Sequence, residues 1–313
     1  MWRKLINIRL IGFVILAYLL LKISRSGTLK ILVDCDLVLV GAAWLLMFVS
    51  TFMKFLRYQY ILIQQGVRMP LLRTIRFCLA ANYLSYVTPG RIGEFSKVYF
   101  LAKASQAPAN RLAAGALMDR LFDVYTLLLI AGVLGWATVS AGGIGLAGLG
   151  WLILAIAVAP LVLIIPAVRR TVIFLSGLLQ KWFRGKKSWA EQVRLFFQEI
   201  DSLLCWRMIW CLAATVAAYA AFFLCCYLLS RSVDVALPFF KITLFVAIAS
   251  MLSFLPISVA GIGTREASLV YFFAAEGLAS ESALAFSSLI FVSTYLLFGL
   301  IGFVAFMGLR YNQ

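Results

Sequence analysis

Histidine is absent from all 313 residues. Its absence removes His-centred triads, His metal ligands and the one side chain that ordinarily changes charge near neutral pH. Charge of any kind is scarce: 13% of residues are Asp, Glu, Lys or Arg, against about 25% in soluble domains. Acidic residues are the scarcer, 12 against 28 basic ones, which leaves a formal net charge of +16. The six cysteines (Cys35, Cys78, Cys205, Cys211, Cys225 and Cys226) contain no Cys-x-x-Cys pair. Five fall in or beside apolar stretches, where cysteine acts as a small hydrophobe. Neither a disulfide framework nor a thiolate metal site is indicated. There is no Gly-x-x-x-x-Gly-Lys-Ser/Thr phosphate loop, so any transport is expected to be passive or ion-coupled. No metal or cofactor is expected.

Hydrophobic residues make up 64% of the chain, and they come in blocks long enough to cross a bilayer. The fold class is an all-α polytopic membrane protein, one membrane domain over 1–313. Six segments read as full spans, at about 8–24, 37–56, 112–138, 147–165, 203–230 and 283–309. Two more, about 71–103 and 240–279, are apolar but interrupted midway by Pro and Gly. Each reads as a re-entrant hairpin or as two short spans with a tight turn. The basic start before Leu10 resembles a signal peptide, but Lys22 and Arg25 follow the apolar run in place of a small-residue cleavage site. It is therefore read as an uncleaved first span.

Basic residues mark the cytoplasmic side. Lys54, Arg57, Arg68, Arg73 and Arg76 are assigned to the loop after the second span, and Arg169–Arg194 to the segment between the fourth and fifth. Both termini are expected in the cytoplasm of a bacterial-type inner membrane. The stretch 166–200 mixes Trp and Phe with basic residues. It suits either an amphipathic helix on the inner leaflet or a solvated connector. Basic residues flank spans rather than lining a soluble face, so nucleic acid is not expected as a partner. Anionic lipid is.

The two interrupted segments resemble each other. Glu94-x-Ser96-x-Val98-Tyr99-Phe100 matches Glu266-x-Ser268-x-Val270-Tyr271-Phe272, with Pro89 and Pro256 upstream and a few extra residues at the second turn. The order span, span, broken segment, span also repeats, over about 1–138 and 147–309, with the join between spans 112–138 and 147–165. An odd number of full spans per half makes the second half enter from the opposite face. The result is an inverted repeat, in which paired Gly/Pro breaks point to the substrate site.

Irregular backbone survives in a bilayer only where protein or water satisfies it. Pro89, Gly90 and Gly93 in the first break, and Pro256, Gly261 and Gly263 in the second, supply the turns. Arg91 and Arg265 offer planar forks suited to phosphate. Helices are expected to start near Gly93 and Thr264 with their amides facing the turn. Glu94 and Glu266 fall in those first turns, as partners of the arginines or competitors for them. Lys97 either lines a cavity or snorkels. Asp119, Arg120 and Asp123, within the next span, are expected to face the hairpin charges, more as an internal network than as direct substrate contacts. The structural alternative is an ion-pair clamp between the hairpins. Glu276 and Glu281 flank an outer loop and are expected to be solvated.

The stretches "TPGRIGE", "MDRLFD" and "LPISVAGIGTREA" together resemble the flippase-like membrane family that includes the transmembrane flippase region of lysylphosphatidylglycerol synthase. The family's Pro-Gly-x-x-Gly-Glu maps onto Pro89, Gly90, Gly93 and Glu94, and its Gly-x-Gly-x-Arg-Glu onto Gly261, Gly263, Arg265 and Glu266. Two positions depart from the pattern. Asp119 stands where Glu is usual before Arg120, and Val259-Ala260 replaces a Pro-Gly. The resemblance implies a flippase or scramblase for an anionic or glycosylated lipid, of phospholipid or polyprenyl-phosphate type. It does not imply aminoacyl transfer, which in the family belongs to a separate soluble domain. No enzymatic activity is expected. The alternative is a scaffold subunit that recruits a glycosyltransferase or lipid-modifying enzyme to the membrane.

Overall fold

The computed structural model describes residues 25–88, 91–140, 189–203, 205–253 and 261–311. The expected spans 8–24 and 147–165, the stretch 166–188, and Pro89, Gly90 and Pro256 lie outside these residues. The described residues form helices and no strands: α1 (Arg25–Val33), α2 (Leu37–Gln64), α3 (Leu71–Val87), α4 (Ser96–Ser105), α5 (Ala109–Ser140), α6 (Trp189–Leu203), α7 (Ile209–Arg231), α8 (Phe239–Leu252), α9 (Thr264–Ala275), α10 (Ser280–Phe291) and α11 (Leu297–Tyr311). A short 3₁₀ turn, Ile92–Phe95, leads into α4, and another, Trp206–Met208, into α7. A π-helical turn, Val292–Leu296, makes α10 and α11 one continuous rod.

Four stretches are long and apolar enough to cross a membrane: Leu37–Gln64, Ala109–Thr138, Trp206–Arg231 and Ser280–Leu309. They coincide with four of the expected spans. The chain is a multi-pass helical membrane protein. The second span runs further than expected. α2 starts where the Asp36 carboxylate accepts the Val38 and Leu39 amides, at 2.8 and 3.2 Å. It continues to Gln64, so Lys54 and Arg57 lie inside the helix and not in a loop. The cause is local: Tyr58, Ile61 and Leu62 carry the apolar face on past the charges and are all buried.

The interrupted segments double back. Gln65, at the end of α2, and Arg111, at the start of α5, bond through side chain and backbone at 2.5 and 3.2 Å. The segment α3–α4 therefore leaves and returns at one end of the bundle. Lys241, in the first turn of α8, pairs with Glu276 just after α9 at 2.5 Å, so α8–α9 does the same. Glu276 is thus paired, not simply solvated as expected. The Asp36 amide donates to the Ser232 carbonyl at 3.0 Å, which puts the base of α8–α9 at the start of α2 and the base of α3–α4 at its end. At ~1.5 Å per residue, none of α3, α4, α8 and α9, the longest of 17 residues, reaches the ~30 Å of a bilayer core.

Packing exchanges partners between the halves. α2 packs most extensively against α7, α3 against α11, and α8 against α5. The α3–α11 contact is close enough to need glycine: a Cβ on Gly302 would run into the Leu79 carbonyl. Gly302→Ala is therefore expected to lower the thermal midpoint in detergent, by overpacking of about 1–3 kcal/mol. Gly41→Ala, on an open face of α2, should leave it equal or higher. Equal midpoints for the two variants would count against this packing. α6, assigned from sequence to the inner leaflet or a connector, lays Phe197, Ile200 and Leu203 into a buried cluster with α2 and α5, and Arg111 pins it through Glu199 at 2.8 Å.

Candidate functional site

Buried apolar side chains form two clusters. One holds Val40, Ala43 and Met47 of α2, Leu127, Leu128 and Ala131 of α5 and much of α7–α10. The other holds Phe55, Tyr58 and Ile61 of α2, Leu112 and Met118 of α5, and parts of α3, α4, α6 and α7. Between them each long helix turns polar: Lys54 and Arg57 on α2, Asp119, Arg120 and Asp123 on α5, Thr215 on α7. The tips of both doubled segments reach this layer, and a cavity of about 150 Å³ lies among these groups.

The layer is a charge network. Arg57, 1% exposed, donates from Nε to Asp119 Oδ1 at 2.8 Å and from Nη1 to Thr215 Oγ1 at 3.0 Å. Its Nη2 also meets Asp123 at 3.0 Å. Lys97 Nζ meets the other Asp119 oxygen at 2.7 Å and Glu94 at 3.3 Å, beneath the Tyr58 ring at 4.1 Å. Arg120 reaches Glu94 at 2.8 Å, and Lys54 reaches Asp123 at 3.4 Å. Low dielectric makes such pairing necessary, because one buried charge left alone costs several kcal/mol.

The second segment builds its own unit. Arg265, 4% exposed, pairs with Glu266 and donates from Nε to Ser287 Oγ at 3.0 Å. Ser287 in turn donates to Glu266 at 2.9 Å. Arg265 Nη1 is buried with no hydrogen-bond partner among the described residues. Arg91 comes from the other segment. Its Nη2 donates to the Tyr295 hydroxyl at 2.5 Å. Both guanidiniums also lie over the Tyr295 ring, at 5.5 Å for Arg91 and 5.2 Å for Arg265. Six basic side chains (Lys54, Arg57, Arg91, Lys97, Arg120 and Arg265) thus face four carboxylates (Glu94, Asp119, Asp123 and Glu266), and the cavity keeps an excess of positive charge.

The residues singled out in the sequence therefore meet: Arg91, Glu94, Lys97, Asp119, Arg120 and Asp123 share one cavity with Arg265. The turn glycines also have local reasons. Gly261 sits at φ +75°, and a Cβ there would strike Ser253 Oγ; one on Gly93 would strike the Leu84 carbonyl. The helix starts offer fewer free amides than expected. α9 begins at Thr264, but the Gly263 amide is taken by Glu266 at 2.7 Å. Before α4 there is a 3₁₀ turn, and the Gly93 amide is taken by Thr88 Oγ1 at 2.8 Å. The chain's own side chains occupy those amides.

Lys54, Arg57, Tyr219, Ser287 and Tyr295 were not singled out. For Arg57 a signal existed: the apolar 3.6-residue period runs unbroken through it to Leu62. Tyr219 lines the charged cavity on one side and, on the other, an apolar groove of about 1040 Å³ between α5, α7 and α8. Its ring carries Lys54 at 4.4 Å. No cluster of three or more metal-ligating side chains occurs among the described residues.

The family model described as "Lysylphosphatidylglycerol synthase TM region" matches residues 6–302. No curated protein matches the chain.

Proposed function

This chain belongs to the lysylphosphatidylglycerol synthase TM-region family, and from that premise we propose that it moves an anionic lipid between the leaflets of a bacterial-type inner membrane. The observation that carries the reading is the buried, net-positive cavity that shares Tyr219 with an apolar groove. A lipid has the same two parts. Its phosphate suits Arg91 and Arg265, and its tails suit the groove or the surrounding bilayer. No chemical step is assigned to the chain.

The exchange of packing partners supports an inverted repeat with re-entrant hairpins. α2 and α7 are the matching spans of the two halves, and each hairpin's first arm packs on the last span of the other half. In this reading α3–α4 dips in from the cytoplasm, α8–α9 from outside, and both termini are cytoplasmic. Small movements of either hairpin would open the cavity to one leaflet at a time. The test is reconstitution into phosphatidylcholine vesicles holding a trace of headgroup-labelled phosphatidylglycerol. Purified protein should make the inner-leaflet label accessible to a membrane-impermeant quencher. Accessibility no greater than in protein-free vesicles, for phosphatidylglycerol and for a polyprenyl phosphate, would overturn the proposal.

A further inference from the structure

Tyr295 touches both hairpin arginines, and its placement is unusual. It sits on the π-helical turn Val292–Leu296, a geometry that inserts one residue into a helix and recurs at functional sites. That turn is tied to α2, where Trp44 Nε1 donates to Ser293 Oγ at 3.0 Å. The Tyr295 ring is wedged against Tyr86 at 5.0 Å and Phe291 at 5.6 Å, so it has little freedom to rotate in place. Its hydroxyl accepts from Arg91, whose backbone is itself held left-handed at φ 56°, a conformation that non-glycine residues seldom adopt without support.

We propose that the Tyr295 hydroxyl is an internal stand-in for the lipid phosphate, occupying Arg91 in the lipid-free state and thereby setting headgroup affinity. A phenol oxygen is a neutral acceptor. A phosphate oxygen is a charged one and makes the stronger hydrogen bond to a guanidinium. An incoming headgroup therefore displaces the phenol from Arg91 and meets Arg265 on the same side of the cavity. The ring continues to face both cations through its π system. Headgroups without a phosphate offer no such oxygen and do not compete. Tyr295 is thus a specificity-determining residue. The inference rests on the lipid-transport reading only in taking the anion to be a lipid headgroup.

The experiment measures binding separately from transport. Phosphatidylglycerol and diacylglycerol would be titrated onto the detergent-solubilised full chain and bound lipid counted by native mass spectrometry. Tyr295→Phe keeps the ring and removes the acceptor. It is expected to bind phosphatidylglycerol about threefold to tenfold more tightly than the natural chain, the range given by releasing one hydrogen bond. Binding of diacylglycerol, which has no phosphate, should be unchanged. In an Arg91→Ala background, Tyr295→Phe should have no effect. Equal or weaker phosphatidylglycerol binding by Tyr295→Phe would overturn the proposal, as would a gain that persists without Arg91. Tyr295→Leu, which loses the ring as well, separates folding from recognition by its thermal midpoint. A natural chain that moves no lipid, with the Tyr295→Phe gain intact, would overturn the transport reading and leave this one standing.

Discussion

Arg57→Met is expected to cost the fold about 3–5 kcal/mol, the usual penalty for stranding buried charge by removing its partner. Arg57 is the hub of the α2–α5–α7 contact. It touches Asp119, Asp123 and Thr215 at once. Methionine matches the stem of the side chain, so the cavity left behind is small, and the loss comes from two carboxylates with less compensation. Lys97 still serves Asp119 and Lys54 still serves Asp123, which keeps the penalty finite. The measurement is the thermal midpoint of the purified protein in detergent, taken with Arg57→Met alone and combined with Asp119→Asn. The double variant should regain much of the loss, because it removes one charge of each sign and leaves Lys97 with Glu94 and Asp123 with Lys54. A single variant that melts with the natural chain would show that the network contributes little to stability.

Arg265→Ala is expected to slow phosphatidylglycerol translocation by about 10- to 100-fold, the range for losing charged hydrogen bonds to a buried phosphate. The substitution leaves Glu266 still bonded to Ser287 and to the Gly263 amide, so the start of α9 keeps its cap. Arg265→Lys should fall between the two, since it keeps the charge but loses the planar fork. Rates would be read from the quencher assay in vesicles at matched protein content. If Arg265→Ala translocates as fast as the natural chain, Arg265 has no part in headgroup recognition, and its pairing with Glu266 is structural.

What the sequence revealed, and what it hid, follows from where each signal sits. Long apolar runs located α2, α5, α7 and the α10–α11 rod because burial in lipid needs about 20 apolar residues in succession. Gly and Pro within such runs located the two doubled segments, and charges beside the breaks located Arg91, Glu94, Lys97, Arg265 and Glu266. Arg57 and Lys54 were misplaced because a hydropathy reading ends a span at its first pair of cations. A helix does not end there when Tyr58, Ile61 and Leu62 continue its buried face. Tyr295 was hidden for the opposite reason: among so many aromatic residues its position in the sequence does not distinguish it. Only the fold, by bringing Arg91 from one half against a turn of the other, gives it a role. Glu266 as a cap three residues after Gly263 was readable from spacing alone, and that spacing argues against free amides at the start of α9.

The crossed packing of the halves also sets an order of events during synthesis. α3 is complete at Val87, but its wall, α11, begins at Leu297. At roughly 5–20 residues per second a ribosome takes about 10–40 s to make the stretch between them. α8 meets no such delay against its wall, because α5 precedes it in the chain. The early hairpin therefore spends that interval without its final neighbour, and α5, with Asp119 and Arg120 to neutralise Lys97 and Glu94, is the first helix able to shelter its charges. Nascent chains halted just before and just after α5 should differ sharply in how readily the membrane retains that hairpin.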